Sequence, residues 1–204
     1  MLTLTQGKKL IKLARKSIDS WFKKKQLDFS KEKKEFKELQ GVFVTLHLNK
    51  ELRGCIGYPY PSLQLAEAIF QSARSAAFSD PRFDPLTEKE FNKCILEISV
   101  LTVPQQIQST GNLIPDQIEL GKDGLIIQFA GHSGLLLPQV ATESKLSAID
   151  FLTAVSQKAG LSGDIWLNPQ AKLYKFQAQI FSEIKPNGLV KYNNAKIVKK
   201  HKKT

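Results

Sequence analysis

The sequence predicts an α+β fold, with mainly antiparallel sheets and flanking helices forming two lobes of one domain. Three observations predict it. Two hairpin patterns, at 42–57 and 124–137, alternate apolar and polar residues on either side of short turn-forming links. Apolar residues recur at three-and-four spacing in 5–25, 61–77 and 150–158, the mark of amphipathic helices. Strands and helices do not alternate strictly, as a doubly wound parallel sheet would require. With 204 residues, 42% of them hydrophobic, the chain can bury a core that offsets the entropy of ordering one domain. That domain is expected to span 1–187, with 188–204 as a basic, disordered tail.

Leu10, Ile11, Ala14, Ile18, Trp21 and Phe22 fall on one stripe of a leading helix, which leaves its lysines on the outer face. The charged stretch 26–40 reads as a loop or a short helical turn ending at Gly41. Residues 42–48 and 52–57 then read as strand, turn and strand, and two registers compete. A two-residue loop mixes polar and apolar side chains on both faces. A three-residue loop, 49–51, instead sets Val44, Leu46 and Leu48 against Ile56, Gly54 and Leu52. The second is favoured because it gathers Thr45, His47, Arg53 and Cys55 on one face. Pro61-Ser62 is expected to open a helix through Ala77 with a hydroxyl cap, and the proline-rich run 80–86 to form an ordered turn. Thr87 and Glu90 make the T-x-x-E pattern of a capping box. Cys94, Leu96, Ile98 and Val100 bury one face of the next strand, which makes Cys94 a core residue. Strands at 124–129 and 134–137, linked by 130–133, a helix over 150–158 stopped by Gly160, and a strand over 172–183 complete the set.

The net charge of +11 is terminal. Residues 1–40 and 185–204 carry +7 each, and the body between them carries −3. Charge placed this way reads first as solvated surface, with weak contact to nucleic acid or an acidic partner through the basic ends as the functional reading. No run approaches the roughly 20 apolar residues of a membrane span, and the first residues lack the apolar core of a secretory signal. A cytoplasmic protein is expected. Two cysteines in a reducing compartment are expected to be free thiols. Without CxxC, HExxH or a cluster of His, Asp and Glu, neither a metal nor a cofactor is expected.

Three segments carry a resemblance. Leu52-Arg53-Gly54-Cys55-Ile56-Gly57, Ala77-Phe78-Ser79-Asp80-Pro81-Arg82-Phe83 and Gly134-Leu135-Leu136-Leu137-Pro138-Gln139-Val140-Ala141-Thr142-Glu143 together resemble the AMMECR domain over about residues 5–185, with Lys158-Ala159-Gly160-Leu161 and 176–183 fitting as well. Two positions depart from the pattern: Ser156 stands where many members have cysteine, and 144–148 lacks a tryptophan common there. The resemblance implies an α+β pair of lobes. It also implies Memo-type and radical SAM proteins as partners, since this chain would resemble protein A of the AmmeMemoRadiSam system.

Cys55 is the sharpest chemical candidate. A thiolate is a strong nucleophile, and Arg53, two residues away on the same strand face, would favour the ionised form. Gly54 and Gly57 would let a ligand or another backbone approach the thiol. His47 and Glu143 are the candidate bases. Asp80 is expected to fix its turn through backbone N–H groups, Arg53 and Arg82 to hold an anionic ligand together, and the segment from Gln139 to Glu143 to form a recognition groove with the Cys55 surface if the protein is a binding module. Gly131-His132-Ser133-Gly134 is not a nucleophile elbow, because it joins two strands. Two readings stand: a cysteine-dependent enzyme or enzyme component using Cys55, Arg53 and Glu143, and a non-catalytic binding or adaptor module for a protein or nucleic-acid partner.

Overall fold

The structure, a computed structural model, describes residues 1–193. The fold is α+β, and the described residues divide into two compact units: Met1–Val103 with 179–193, and Pro104–Ala178.

In the first unit α1 (Leu4–Phe22) starts at a capping box between Thr3 and Gln6. Its stripe buries Leu10, Leu13, Ala14 and Ile18 completely. Trp21 departs from the expected stripe. It lies on the last turn of the helix, 54% exposed, and stacks on Phe78 at 5.2 Å instead of entering the core. A short α2 (Ser30–Glu35) follows, then β1 (Val42–Leu48), β2 (Glu51–Tyr58), α3 (Leu65–Phe78), α4 (Glu88–Phe91) and β3 (Ile95–Leu101). Strand β1 lies between β2 and β3, antiparallel to both. The chain returns to this unit in the last residues of β7 (Lys172–Glu183), which pair antiparallel with β8 (Val190–Asn193). The core packs Val42, Val44 and Leu46 of β1 and Leu96 and Ile98 of β3 with the buried faces of α1 and α3.

The β1–β2 register combines features of both sequence readings. Val44 faces Ile56 and Leu46 faces Gly54, as the favoured register requires. The loop, however, has two residues, Asn49 and Lys50, both at positive φ, so Leu48 faces Glu51 rather than Leu52. A bulge at Leu46/His47, with Arg53 as the inserted residue of β2, absorbs the difference. The cap expected on α3 is also different. The helix begins at Leu65 without a side-chain cap. Its first N–H groups are met by the chain that follows α2, Leu65 donating to the Glu38 carbonyl and Ala66 to that of Phe36.

The second unit holds β4 (Gln105–Gln106), β5 (Asp123–Phe129), β6 (His132–Leu136), the first part of β7, α5 (Pro138–Glu143) and α6 (Ala148–Lys158). Strand β5 pairs antiparallel with β6 and β7. Its turn is the positive-φ pair Ala130-Gly131, so His132 and Ser133 are strand residues and not loop. Gly134 admits α6 so closely that a Cβ there would lie 2.7 Å from the Val155 carbonyl oxygen. Leu125, Ile127, Phe151, Leu152, Val155 and Leu173 form the core of this unit.

Residues 190–193, expected in the tail, form β8; the rest of that expected tail, 194–204, lies outside the described residues. No described helix is long and apolar enough to cross a membrane.

Candidate functional site: the Cys55 hairpin

Strand β2 lies at one end of the strand order, with only β1 beside it among the described residues. An edge strand presents outward N–H and C=O groups that must be covered or solvated. At Cys55 the turn after α3 covers them. The Cys55 N–H donates to Asp80 Oδ2 at 2.8 Å, and its carbonyl accepts from Arg82 Nη2 at 3.1 Å. Asp80 is 4% exposed and also accepts from the Arg82 backbone N–H, Nε and Nη2. Proline at 81 fixes the bend between these two residues, and the Phe83 N–H closes the turn on the Asp80 carbonyl. Asp80 therefore has the turn-fixing role, and Arg82 is committed to it and to the Cys55 backbone.

Arg53 is committed as well. Its Nε and Nη2 fork onto the two oxygens of Glu90 at 3.0 and 3.2 Å. Glu90 Oε2 also accepts from the Thr87 backbone N–H and hydroxyl, which completes the capping box of α4. Arg53 and Arg82 both lie near the Phe83 ring, 5.8 and 5.5 Å from its centroid.

The sulfur itself meets a hydroxyl. Thr45, directly across from Cys55, donates to Sγ at 3.3 Å. Burial raises the thiol pKa above its ordinary value, and this outweighs the opposing pull of the Thr45 hydrogen bond and the Arg82 charge. This corrects the expectation that Arg53 would favour a thiolate, because that guanidinium is held by Glu90. His47 stands opposite Leu52, two positions along β1 from Thr45, and the group hydrogen-bonded to the sulfur is the Thr45 hydroxyl. The glycines serve close backbone approach. A Cβ on Gly54 would lie 2.1 Å from the Ala76 carbonyl oxygen of α3, and one on Gly57 2.1 Å from that of Val42. Glu143 and Gln139 belong to the second unit, Glu143 exposed at the end of α5 and Gln139 with a buried Oε1 that has no partner among the described residues. Cys94 is fully buried, and burial pushes its thiol up to about 11. Among the described residues no group of three His, Cys, Asp or Glu could hold a metal ion.

The carboxylates of this site set an acid limit on stability. The Arg82 hydrogen bonds hold Asp80 at about 2, and those of Arg53 hold Glu90 at about 2. Both folded values are depressed, so the stabilisation is present in full above the ordinary carboxylate range and is lost as pH falls from about 5 towards 2. For buried Asp80 it amounts to about 2 kcal/mol. Asp80→Asn should lower stability at neutral pH by that order and flatten the acid slope, read from urea unfolding at pH about 7 and about 3. An acid slope equal to that of the unmodified chain would refute this role.

A second buried network was not foreseen. Arg15 of α1 forks through Nε and Nη2 onto Glu183 at the end of β7, both at 2.6 Å, and Nη2 also donates to the Cys94 carbonyl. Glu183 accepts a further bond from the Leu96 N–H. Arg15 was legible as a charge inside the apolar stripe of α1. Its partner, 168 residues away, was not.

Fold and site together define an α+β protein with a cysteine-bearing edge hairpin tied to a following turn by buried Asp80 and its ion-pair partner Arg82. The chain belongs to the AMMECR1 family, whose profile matches residues 11–181. It is 45% identical over 195 residues to a protein of Methanosarcina mazei, covering 93% of this chain and 98% of that one. It is 41% identical to Protein MJ0810 of Methanocaldococcus jannaschii, covering 93% and 96%. Among solved structures it resembles the uncharacterized protein PH0010 from Pyrococcus horikoshii, with a TM-score of 0.88 and 40% identity over 93% of this chain and 97% of the other.

Proposed function

We propose that this AMMECR1-family protein is a non-catalytic binding module whose Arg53–Phe83–Arg82 surface beside Cys55 recognises a protein partner. One observation carries the reading: both guanidiniums are already neutralised by carboxylates while burial raises the neighbouring thiol pKa. A nucleophilic cysteine needs the opposite setting, with uncommitted positive charge and an accessible, acidic thiol. Arginine and aromatic side chains held rigid on a surface are instead the residues that dominate protein interfaces. Arg82 keeps 51% of its side chain exposed despite its bonds to Asp80 and offers most of the contact area, whereas Arg53, 13% exposed, is largely covered. The Memo-type and radical SAM proteins implied by the AMMECR resemblance are the partners this reading nominates, with the basic termini adding long-range attraction to acidic surfaces.

The test has two readouts. Alkylation of Cys55, followed on its own peptide by mass spectrometry across pH, should rise only above the ordinary thiol range. Binding of the Memo-type and radical SAM proteins should survive Cys55→Ser and fall about tenfold in Arg82→Glu. An acidic thiol, or binding lost with the sulfur alone, would return the cysteine-enzyme reading.

A further inference from the structure

The groove between α1 and the β7–β8 hairpin has features of a binding site that the Cys55 surface does not account for. We propose that it takes a small organic anion, a carboxylate or phosphate carried on an apolar body. The cavity measures about 540 Å³, within the range of small-molecule pockets. It lies within the first unit and is independent of the reading of Cys55.

Lys8, Lys12 and Lys16 line it at four-residue intervals, so they project from one face of α1. Like charges at this spacing weaken a helix, which makes the stripe a cost to folding rather than a help. Lys8 and Lys12 form no ion pair among the described residues, and Lys16 reaches Glu32 only at 3.8 Å. The two acids in the lining do not neutralise them. Asp19 is held by Lys23 at 2.7 Å, and Glu183 by Arg15.

Arg15 supplies the second, independent observation. Its side chain lines the groove yet is only 10% exposed, and its Nη1 has no partner among the described residues. The fork through Nε and Nη2 onto Glu183 turns Nη1 away from that carboxylate. Nη1 lies beneath the groove surface, so an anion above it gains a hydrogen bond there only if the side chain shifts outward.

The remaining wall is apolar. Ile11 and Phe91 lie on one side, and Leu189, 72% exposed, on the hairpin side. Inorganic phosphate would leave this wall wet, and a nucleic-acid backbone has no apolar group to cover it. An amphipathic anion uses both surfaces.

Anilinonaphthalene sulfonate, an organic anion with an apolar body, serves as the probe on the full chain, with binding followed by amide shifts in a nitrogen-labelled sample. The expected result is saturable one-to-one binding that shifts the amides of Asn92, Gly188 and Leu189. Lys8→Glu with Lys12→Glu should weaken it about tenfold. Lys34→Glu with Lys37→Glu, which makes the same change in net charge elsewhere, should leave it within about twofold. Leu189→Asp alters an exposed position that the fold does not need, and should also weaken binding about tenfold. Equal weakening by the two charge variants, shifts confined to other residues, or equal affinity for a neutral dye of similar shape would overturn the proposal. So would displacement of the probe by inorganic phosphate or by a short DNA duplex at comparable concentrations, which would assign the lysines to phosphate binding alone.

Discussion

Arg15→Ala should lower the stability of the first unit by about 3–5 kcal/mol, the loss expected when one member of a buried ion pair is removed and the other stays charged. Glu183 would keep the Leu96 N–H as a donor, while the Cys94 carbonyl would lose the guanidinium that meets it. The packing of the guanidinium near Phe91, 5.1 Å from ring centre to Cζ, would go as well. The measurement is the urea midpoint of a Trp166→Phe background, in which Trp21 alone reports on the first unit. A companion variant separates pair energy from packing. Arg15→Met with Glu183→Leu removes both charges but keeps apolar volume, and should recover most of the loss, because an apolar pair of similar size is often as stable as a buried ion pair. A single-site loss below about 1 kcal/mol would mean that water reaches the pair in solution.

Gly54→Ala should be nearly as severe, at about 3 kcal/mol, although it adds only one methyl group. The new Cβ would sit 2.1 Å from the Ala76 carbonyl oxygen, and both atoms belong to backbones fixed by other bonds. Strand β2 is tied to β1 on one side and to Asp80 on the other, while Ala76 lies in the last turn of α3. The strand and helix must separate, and the Asp80 bond to the Cys55 N–H stretches with them. Gly131→Ala is the control. No atom lies within 4 Å of its Cβ position, and its cost comes only from a φ of +82°, about 1 kcal/mol. If both alanines shifted the urea midpoint equally, the close approach of α3 would not be what requires glycine at 54.

The capping box of α4 and the hairpin explain what could be read directly. Thr87 and Glu90 lie three residues apart, and the physics of a helix start fits within that span, so the pattern predicts the contact. The pairing of Val44 with Ile56 and of Thr45 with Cys55 followed from keeping apolar residues on one face. The loop did not follow. Asn49-Lys50 and the bulge at Leu46/His47 together satisfy the same face, and a period-two pattern cannot distinguish one longer loop from a shorter loop plus an inserted residue. The missing hydroxyl cap of α3 has a similar cause. Its N–H groups found the Glu38 and Phe36 carbonyls, which became available only when α2 and the chain after it folded against the helix.

The chemistry divides along the same line. The sequence by itself determined the family, the α+β class, the helices and strands with strong periodicity, and the presence of a cysteine between two glycines on a hairpin. All of these depend on residues close together in the chain. Only the tertiary structure decided that Arg53 belongs to Glu90, that Arg82 belongs to Asp80, and that Arg15 finds Glu183 across 168 positions. The ionisation of a thiol depends on the charges and burial around it, and those were set by partners that the local pattern does not specify.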